Sequence, residues 1–440
     1  MKRVFLVTAL TAIMLPMVFV ACREKTGGQK ASGGADGNVT LTAYMQIDPV
    51  DPQYTYWQPT LDAFYAKYPN IKIEFEYVSG EPFHQKFQAM AASGDIPDLF
   101  TLYPSPRSGY VINRGMVKDL RPYLTDEIKS HYPASIWDAQ GKNGEVYIIS
   151  PNMAIGTIVY VNTKLQKELG LSNPRTLDEL IAQGQAIRAA GKTPLMFGNQ
   201  GVWQAQSLLL SCLVERTGGK EWFDRARAGT AKFTDKPFVD ALAVIKQLVD
   251  TQTFPAGVNQ IDGLGARNAF IQGNAVYLLA AGWSIGGVKE AAPAADYAQY
   301  EIIPFPALPN EAAPNSNAVS LGEALAINNK LTGAKADAAF AFISFIYGEV
   351  GSDLFMKTGN LPTYKLDYSK YPSDSVNQNY IDRITTQTMG YIIDGVMDGE
   401  GCDSILNPGI QAVMLGTKTP AGLAAEYEAW VAANDSNRKK

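Results

Sequence analysis

Gly282-Trp283-Ser284-Ile285-Gly286-Gly287 is the segment in which residue types and spacing say most about chemistry. It follows an apolar run, 275–281, that reads as a strand. Glycines beside an indole let backbone approach a ligand while the ring offers a flat apolar face. That suits a sugar, which has C–H patches on a ring face and hydroxyls round its edge; the alternative for Trp283 is packing between helices. The same letters satisfy G-x-S-x-G after a strand, the setting of a nucleophile elbow. A triad in that order needs a histidine after Ser284, and the only two, His84 and His131, precede it in segments that read as a surface helix or loop. No carboxylates are specifically paired for glycoside cleavage, and Gly263-Leu264-Gly265 lacks the third glycine and preceding strand of a dinucleotide site. Phosphate-loop and metal-ligand spacings do not occur. The expectation is a binding protein rather than an enzyme, with no cofactor and no metal.

Other candidates lie where strands end. Residues 39–44 alternate as a strand, and the loop 46–57 after it holds Asp48, Asp51, Tyr54, Tyr56 and Trp57. This is either a sugar-contacting loop or one stapled by its aromatics. Residues 71–77 alternate Ile, Phe and Tyr with Lys and Glu, so they read as a strand with one buried face. Pro82, Phe83, Phe87, Met90, Ala91 and Gly94 then mark an amphipathic helix, and 99–102 a buried strand. This βαβ unit places Tyr103 beyond the strands' carboxyl ends, where ligands collect. Trp203, between Gln200 and Gln206, is expected exposed at a helix start. The stacking candidates are Trp283, Trp203, Trp57 and Tyr103, with Asp48 and Gln200 as polar contacts.

A chain of 440 residues is long for one core, so two lobes are expected. A net charge of −5 without a basic run makes nucleic acid an unsuitable partner. Residues 1–21 pair Lys2 and Arg3 with an apolar run and read as a signal peptide. Ala21 before Cys22 resembles a lipoprotein processing site, so Cys22 is the lipidation candidate, holding an exported protein at the membrane surface, on its periplasmic or extracytoplasmic face. Residues 22–38 read as a flexible tether, and no later segment as a membrane span. Cys212 and Cys402 are expected as unpaired thiols, and Asp394, Asp398, Glu400 and Asp403 as a solvated loop whose spacing does not fit an EF-hand.

"YPNI", "KFQAMAASGD", "PDLF", "GMVKDLRPYL", "GEVYIISPNMAIGTIVYVNTKL", "PRTLDELIAQGQAI", "AFIQGNAVYLLAAGW", "GEALAINN" and "GNLPTYK" occur in that order. Together they resemble the extracellular solute-binding proteins of ABC importers, specifically the carbohydrate-binding, maltose-binding-protein-like group (family 1). The resemblance implies an α/β, two-lobed periplasmic-binding-protein-like fold (type II), crossed three times by the chain, each lobe built on a mostly parallel sheet with the ligand cleft between. Lobe one would comprise 39–150 plus 323–360, and lobe two 151–322 plus 361–440. The first crossing would place Asn152 at the cleft, and the second Glu323 at its floor, as a hydroxyl acceptor or a salt-bridged hinge residue. The implied function is capture of a mono- or oligosaccharide by hinge closure, as a monomer, for a membrane permease. The same scaffold with a polyamine, for which Asp48, Asp51 and Glu323 offer carboxylates, or a surface sensor or adhesin, are the other readings.

Overall fold

A computed structural model describes residues 37–435 apart from 139, 142, 372 and 373. The signal peptide, Cys22 and nearly all of the tether lie outside the described residues. Eleven strands occur among them: β1 Val39–Met45, β2 Ile71–Tyr77, β3 Leu99–Leu102, β4 Met153–Ile155, β5 Ile158–Asn162, β6 Thr193–Met196, β7 Ala275–Ala280, β8 Tyr300–Ile303, β9 Ser316–Leu321, β10 Ala324–Ile327 and β11 Thr388–Tyr391.

The first sheet has the order β10-β3-β1-β2. Its edge strand β2 buries Ile71 and Ile73 and exposes Lys72, Glu74 and Glu76, whereas the interior β3 is buried along its length. Alternation in one and a continuous apolar run in the other follow from those places. The helix Glu81–Ser93 carries the chain across β1, ends at Gly94 with φ 77°, and buries Phe83, Phe87 and Ala91 against Tyr44 and Phe100. The opposite face packs on helices Trp57–Lys67 and Gly333–Ile346, with Phe64 and Phe342 in edge-to-face contact at 4.8 Å. By length and composition alone Gly333–Lys357 could cross a membrane, contrary to the expectation that no such segment follows the leader. It is two helices, broken at Tyr347 and Gly348, and the first packs against β1.

The second lobe's sheet runs β6-β7-β5-β8. Only β6 and β7 are parallel; β5 is antiparallel to both its neighbours, so this sheet is mixed rather than mostly parallel. The cause is the crossing: β5 enters from the hinge and runs away from it, while β7 returns to deliver Trp283. β10 enters the first lobe likewise and lies antiparallel to β3. The helix Leu177–Ala189 starts at the expected box, Glu179 N–H donating to Thr176 Oγ1 at 3.2 Å, and the reverse arm is taken by Arg175 N–H on Glu179 Oε2 at 2.7 Å. Arg216, 2% exposed, donates to the carbonyls of Phe305, Pro306 and Ser316 and faces Glu311.

The crossings join in a third sheet, β11-β9-β4. β4 and β9, arriving from opposite directions, pair antiparallel from Met153↔Leu321 to Ile155↔Val319. Ser150 Oγ can donate to the carbonyl of Asn152 or of Gly322, at 2.9 and 2.8 Å, and Thr363 N–H donates to Pro151 O at 2.8 Å, tying in the third passage. Cys212 and Cys402 are buried and free.

Candidate ligand-binding cleft

β1 and β3 end, and β10 begins, on the same edge of the first sheet. That edge brings together Gln46, Tyr103 and Glu323, from positions up to 277 residues apart. Gln46 N–H donates to Thr101 Oγ1 at 3.0 Å, while its Oε1 is buried and unpartnered. Glu323 Oε2 is also buried and without a hydrogen-bond partner. Burial pushes its carboxyl up to about 7, against the lowering pull of the Tyr103 hydroxyl and the Arg107 charge. Four tyrosines sense that carboxylate: burial, then Glu323, raises Tyr54, Tyr56 and Tyr103, and Tyr347 is raised by burial with a smaller contribution from Glu323. Tyr347 is fixed because its hydroxyl accepts Leu325 N–H at 2.8 Å. Asn152 lies against the second crossing: its carbonyl accepts Gly322 N–H at 2.9 Å, and a Cβ on Gly322 would fall 1.9 Å from Asn152 Oδ1. Asp48 is exposed and accepts Val50 N–H at 3.2 Å.

The second lobe presents Trp203 and Trp283 side by side, ring centroids 6.3 Å apart and planes inclined by 42°. Both are half-buried, so the expectation of a fully exposed Trp203 is corrected: the neighbouring indole and the lobe-two core cover part of it. Val202, just before Trp203, has φ 61°, a costly conformation for a β-branched residue. Asn199 holds it: Val202 N–H donates to its carbonyl, and its buried amide accepts Ala205 N–H at 2.9 Å and donates to Asn259. The Gly282–Ser284 turn packs on β4, next to the crossings. Gly282 must be glycine because a Cβ would lie 1.9 Å from the Tyr380 hydroxyl. Gln200 is exposed, and Gln204 Oε1 is buried without a partner.

Among the described residues, two ion pairs of opposite sense link the lobes. Arg267, on the lobe-two helix Gly263–Ile271, faces Asp51 of the first lobe at 3.6 Å, with both side chains largely buried. Arg107 of the first lobe faces Asp403 of the second at 3.7 Å. Asp394 beside it accepts Ser207 Oγ at 3.2 Å; burial raises Asp394 and Asp403, and Arg107 pulls both back.

Several expectations change. Trp57 is 5% exposed, donates Nε1–H to Tyr77 Oη at 3.0 Å and packs edge-on to Phe75 and Phe342, so its indole belongs to the core and has no face for a ligand. His84 is buried rather than on a surface helix face: it packs on Phe83 and near Tyr103, and burial pushes it down to about 3. The acidic stretch 394–403 forms helical turns rather than a loop, with Glu400 and Asp403 exposed as expected and Asp394 and Asp398 half-buried. Asp398 caps a short helix, accepting Glu400 N–H, while Asp394 and Asp403 meet Arg107 across the lobes. Cys402 lies there in a buried helical turn. Ser284 Oγ donates to Ala281 O at 2.6 Å, and His131 of the first lobe stacks on Tyr364, just past the third passage. Sequence reasoning missed Arg107, Arg267 and Tyr347; the only local signal was a lone cation after "YPSP", just beyond β3.

The family described as bacterial extracellular solute-binding protein matches residues 48–352. Among individual relatives, an uncharacterized ABC transporter extracellular-binding protein of Pyrococcus horikoshii is 25% identical over 251 residues, 56% of this chain and 56% of its own length. The multiple sugar-binding protein of Streptococcus mutans is 24% identical over 336 residues, 74% of this chain and 73% of its own. A chitin oligosaccharide binding protein superposes with a TM-score of 0.79 at 19% identity, covering 90% of this chain and 99% of that one.

Proposed function

The chain belongs to the bacterial extracellular solute-binding protein family, and from that premise we propose that it captures a carbohydrate between its lobes and hands it to an ABC permease. The observation that carries this reading is the Trp203–Trp283 pair, held by a strained turn on one side and an obligatory glycine on the other, next to the inter-lobe crossings. Flat, half-buried indoles with buried acceptors nearby suit pyranose rings, whose faces stack while their hydroxyls donate. The names of the Streptococcus mutans relative and the chitin oligosaccharide binding protein support it.

Trp203, Trp283 and Tyr103 are the stacking surfaces in this proposal, and Glu323 and Asn152 the polar contacts, with Asp48 and Gln200 at the exposed rim. The lobe boundaries fall at 150/151, 322/323 and 360/361. A ligand touching both lobes favours the closed arrangement by its differential affinity, and the permease reads that form. The protein acts as an exported monomer held by lipid on Cys22. A second reading has one supporting observation: Glu323 among tyrosines would also hold an ammonium group, so a polyamine belongs in the test.

Thermal unfolding of the purified protein against mono-, di- and oligosaccharides and polyamines is the test. A midpoint that rises with one sugar class supports capture. Trp283→Ala should then weaken that sugar by about 2 kcal/mol, roughly 30-fold, while the protein stays folded. A response to polyamines alone would replace the sugar reading with the cationic one.

A further inference from the structure

The geometry points to a cleft that selects neutral or amine-bearing sugars and turns away sugar acids, with Glu323 as the main discriminating residue. This rests on the carbohydrate reading above and narrows it.

The unpartnered buried atoms around the cleft are unequal in kind. Glu323 Oε2 belongs to a carboxylate, which only accepts when ionised; the Gln46 and Gln204 amides can turn to offer either their oxygen or their NH2, and Arg267 Nε is a donor. A hydroxyl both donates and accepts, and an ammonium donates three times, so either can satisfy buried acceptors. A carboxylate only accepts. At pH 8, where Glu323 is ionised, a ligand carboxylate against the lobe-one floor would leave Glu323 Oε2 unsatisfied and set charge against charge, costs that build specificity by rejection.

The cations tell the same story. A site for a sugar acid would present a guanidinium to grip the carboxylate in a forked geometry. The two arginines bordering this cleft already face acids across the lobes, Arg107 towards Asp403 and Arg267 towards Asp51. Those pairs take up Asp51 and Asp403, which leaves Glu323 as the acid at the floor and Asp48 at the exposed rim. The tyrosines that face Glu323 can shape a ring's contacts but supply no positive charge.

The test uses matched ligands of the same length that differ only in the groups at C6 or C2: maltotriose against maltotriose oxidised at C6, galactotriose against trigalacturonate, mannotriose against trimannuronate, and cellotriose against the glucosamine trimer, all at pH 8. Binding to the purified protein is measured by calorimetry. The expected result is that a neutral or amino trimer binds and its acid counterpart is weaker by about 100-fold. Glu323→Gln should shrink that gap to about tenfold by removing the opposing charge, and Gln46→Ala gives an independent second reading of the floor. An acid that binds within threefold of its neutral twin, or binds alone, overturns the selection but leaves sugar capture standing. An unchanged gap in both variants overturns the assignment to the floor. If no sugar in the set binds, capture and selection fall together.

Discussion

Glu215 and Glu323 are the same residue in the same predicament, and they end in different roles. Burial pushes each carboxyl up to about 7. Glu215, 2% exposed in the second lobe, is completed by its own surroundings: it accepts Tyr391 N–H at 2.9 Å and is boxed in by Gly390, whose Cβ would fall 1.9 Å from its carboxyl carbon. Lys220 and Arg227 lie over the Tyr391 ring at 4.6 and 5.1 Å and steady that strand. Glu323 has a neighbouring hydroxyl and a nearby guanidinium, yet one oxygen is buried with nothing to accept from. A buried carboxylate whose partners come from its own chain is architecture; one with an oxygen left over fits the ligand contact proposed for Glu323.

The sharpest way to break this contrast is to crowd the structural carboxylate. Gly390→Ala should cost about 3 kcal/mol of stability, seen as a lower urea midpoint, because overpacking a fixed polar contact has no cheap relaxation. Sugar affinity of the folded fraction should not change.

Next in size is a pH effect. Each glutamate holds in the folded protein a proton that the unfolded chain releases near 4.5, so the stabilisation is complete below 4.5 and is lost as pH rises through about 7. Denaturation at pH 5, 6, 7 and 8 should show stability falling across that interval by about 2 kcal/mol per group. Glu215→Gln should flatten the slope without touching affinity. A slope that survives both glutamine variants would mean neither group is the source.

Glu323→Gln should move the other readout, weakening a neutral sugar by about 1.5 kcal/mol, near tenfold, with little change in urea midpoint at pH 5, where the native carboxyl is neutral as well. Equal effects of the two glutamine variants on binding would erase the distinction. The smallest effect is expected at Arg175–Glu179, an exposed pair at a helix start, where Arg175→Ala should leave both stability and affinity unchanged within error.

What was legible beforehand follows from how local each cause is. The strand 71–77, the helix with Gly94 after it and the Thr176–Glu179 box were readable because their signals, period and cap chemistry, lie within a few residues of where they act. The two-lobed plan was readable from the order of many weak segments. The direction of β5 was not, since nothing inside Ile158–Asn162 says that it enters from a hinge. Nor could composition separate the indole of Trp57 from those of Trp203 and Trp283. All three sit near strand ends, and only packing decides that Phe75 and Phe342 cover the first while the other two lie half-buried beside each other.

By itself, then, the sequence determined the elements, the three passages between lobes and a shortlist of aromatic and acidic residues, because these depend on neighbours along the chain. Tertiary structure alone decided that Gln46, Tyr103 and Glu323 share one sheet edge, that Arg107 and Arg267 reach in opposite directions across the cleft, and that one oxygen of Glu323 lacks a partner. Those facts are about distance and desolvation between residues hundreds of positions apart, and they exist only once the lobes have packed.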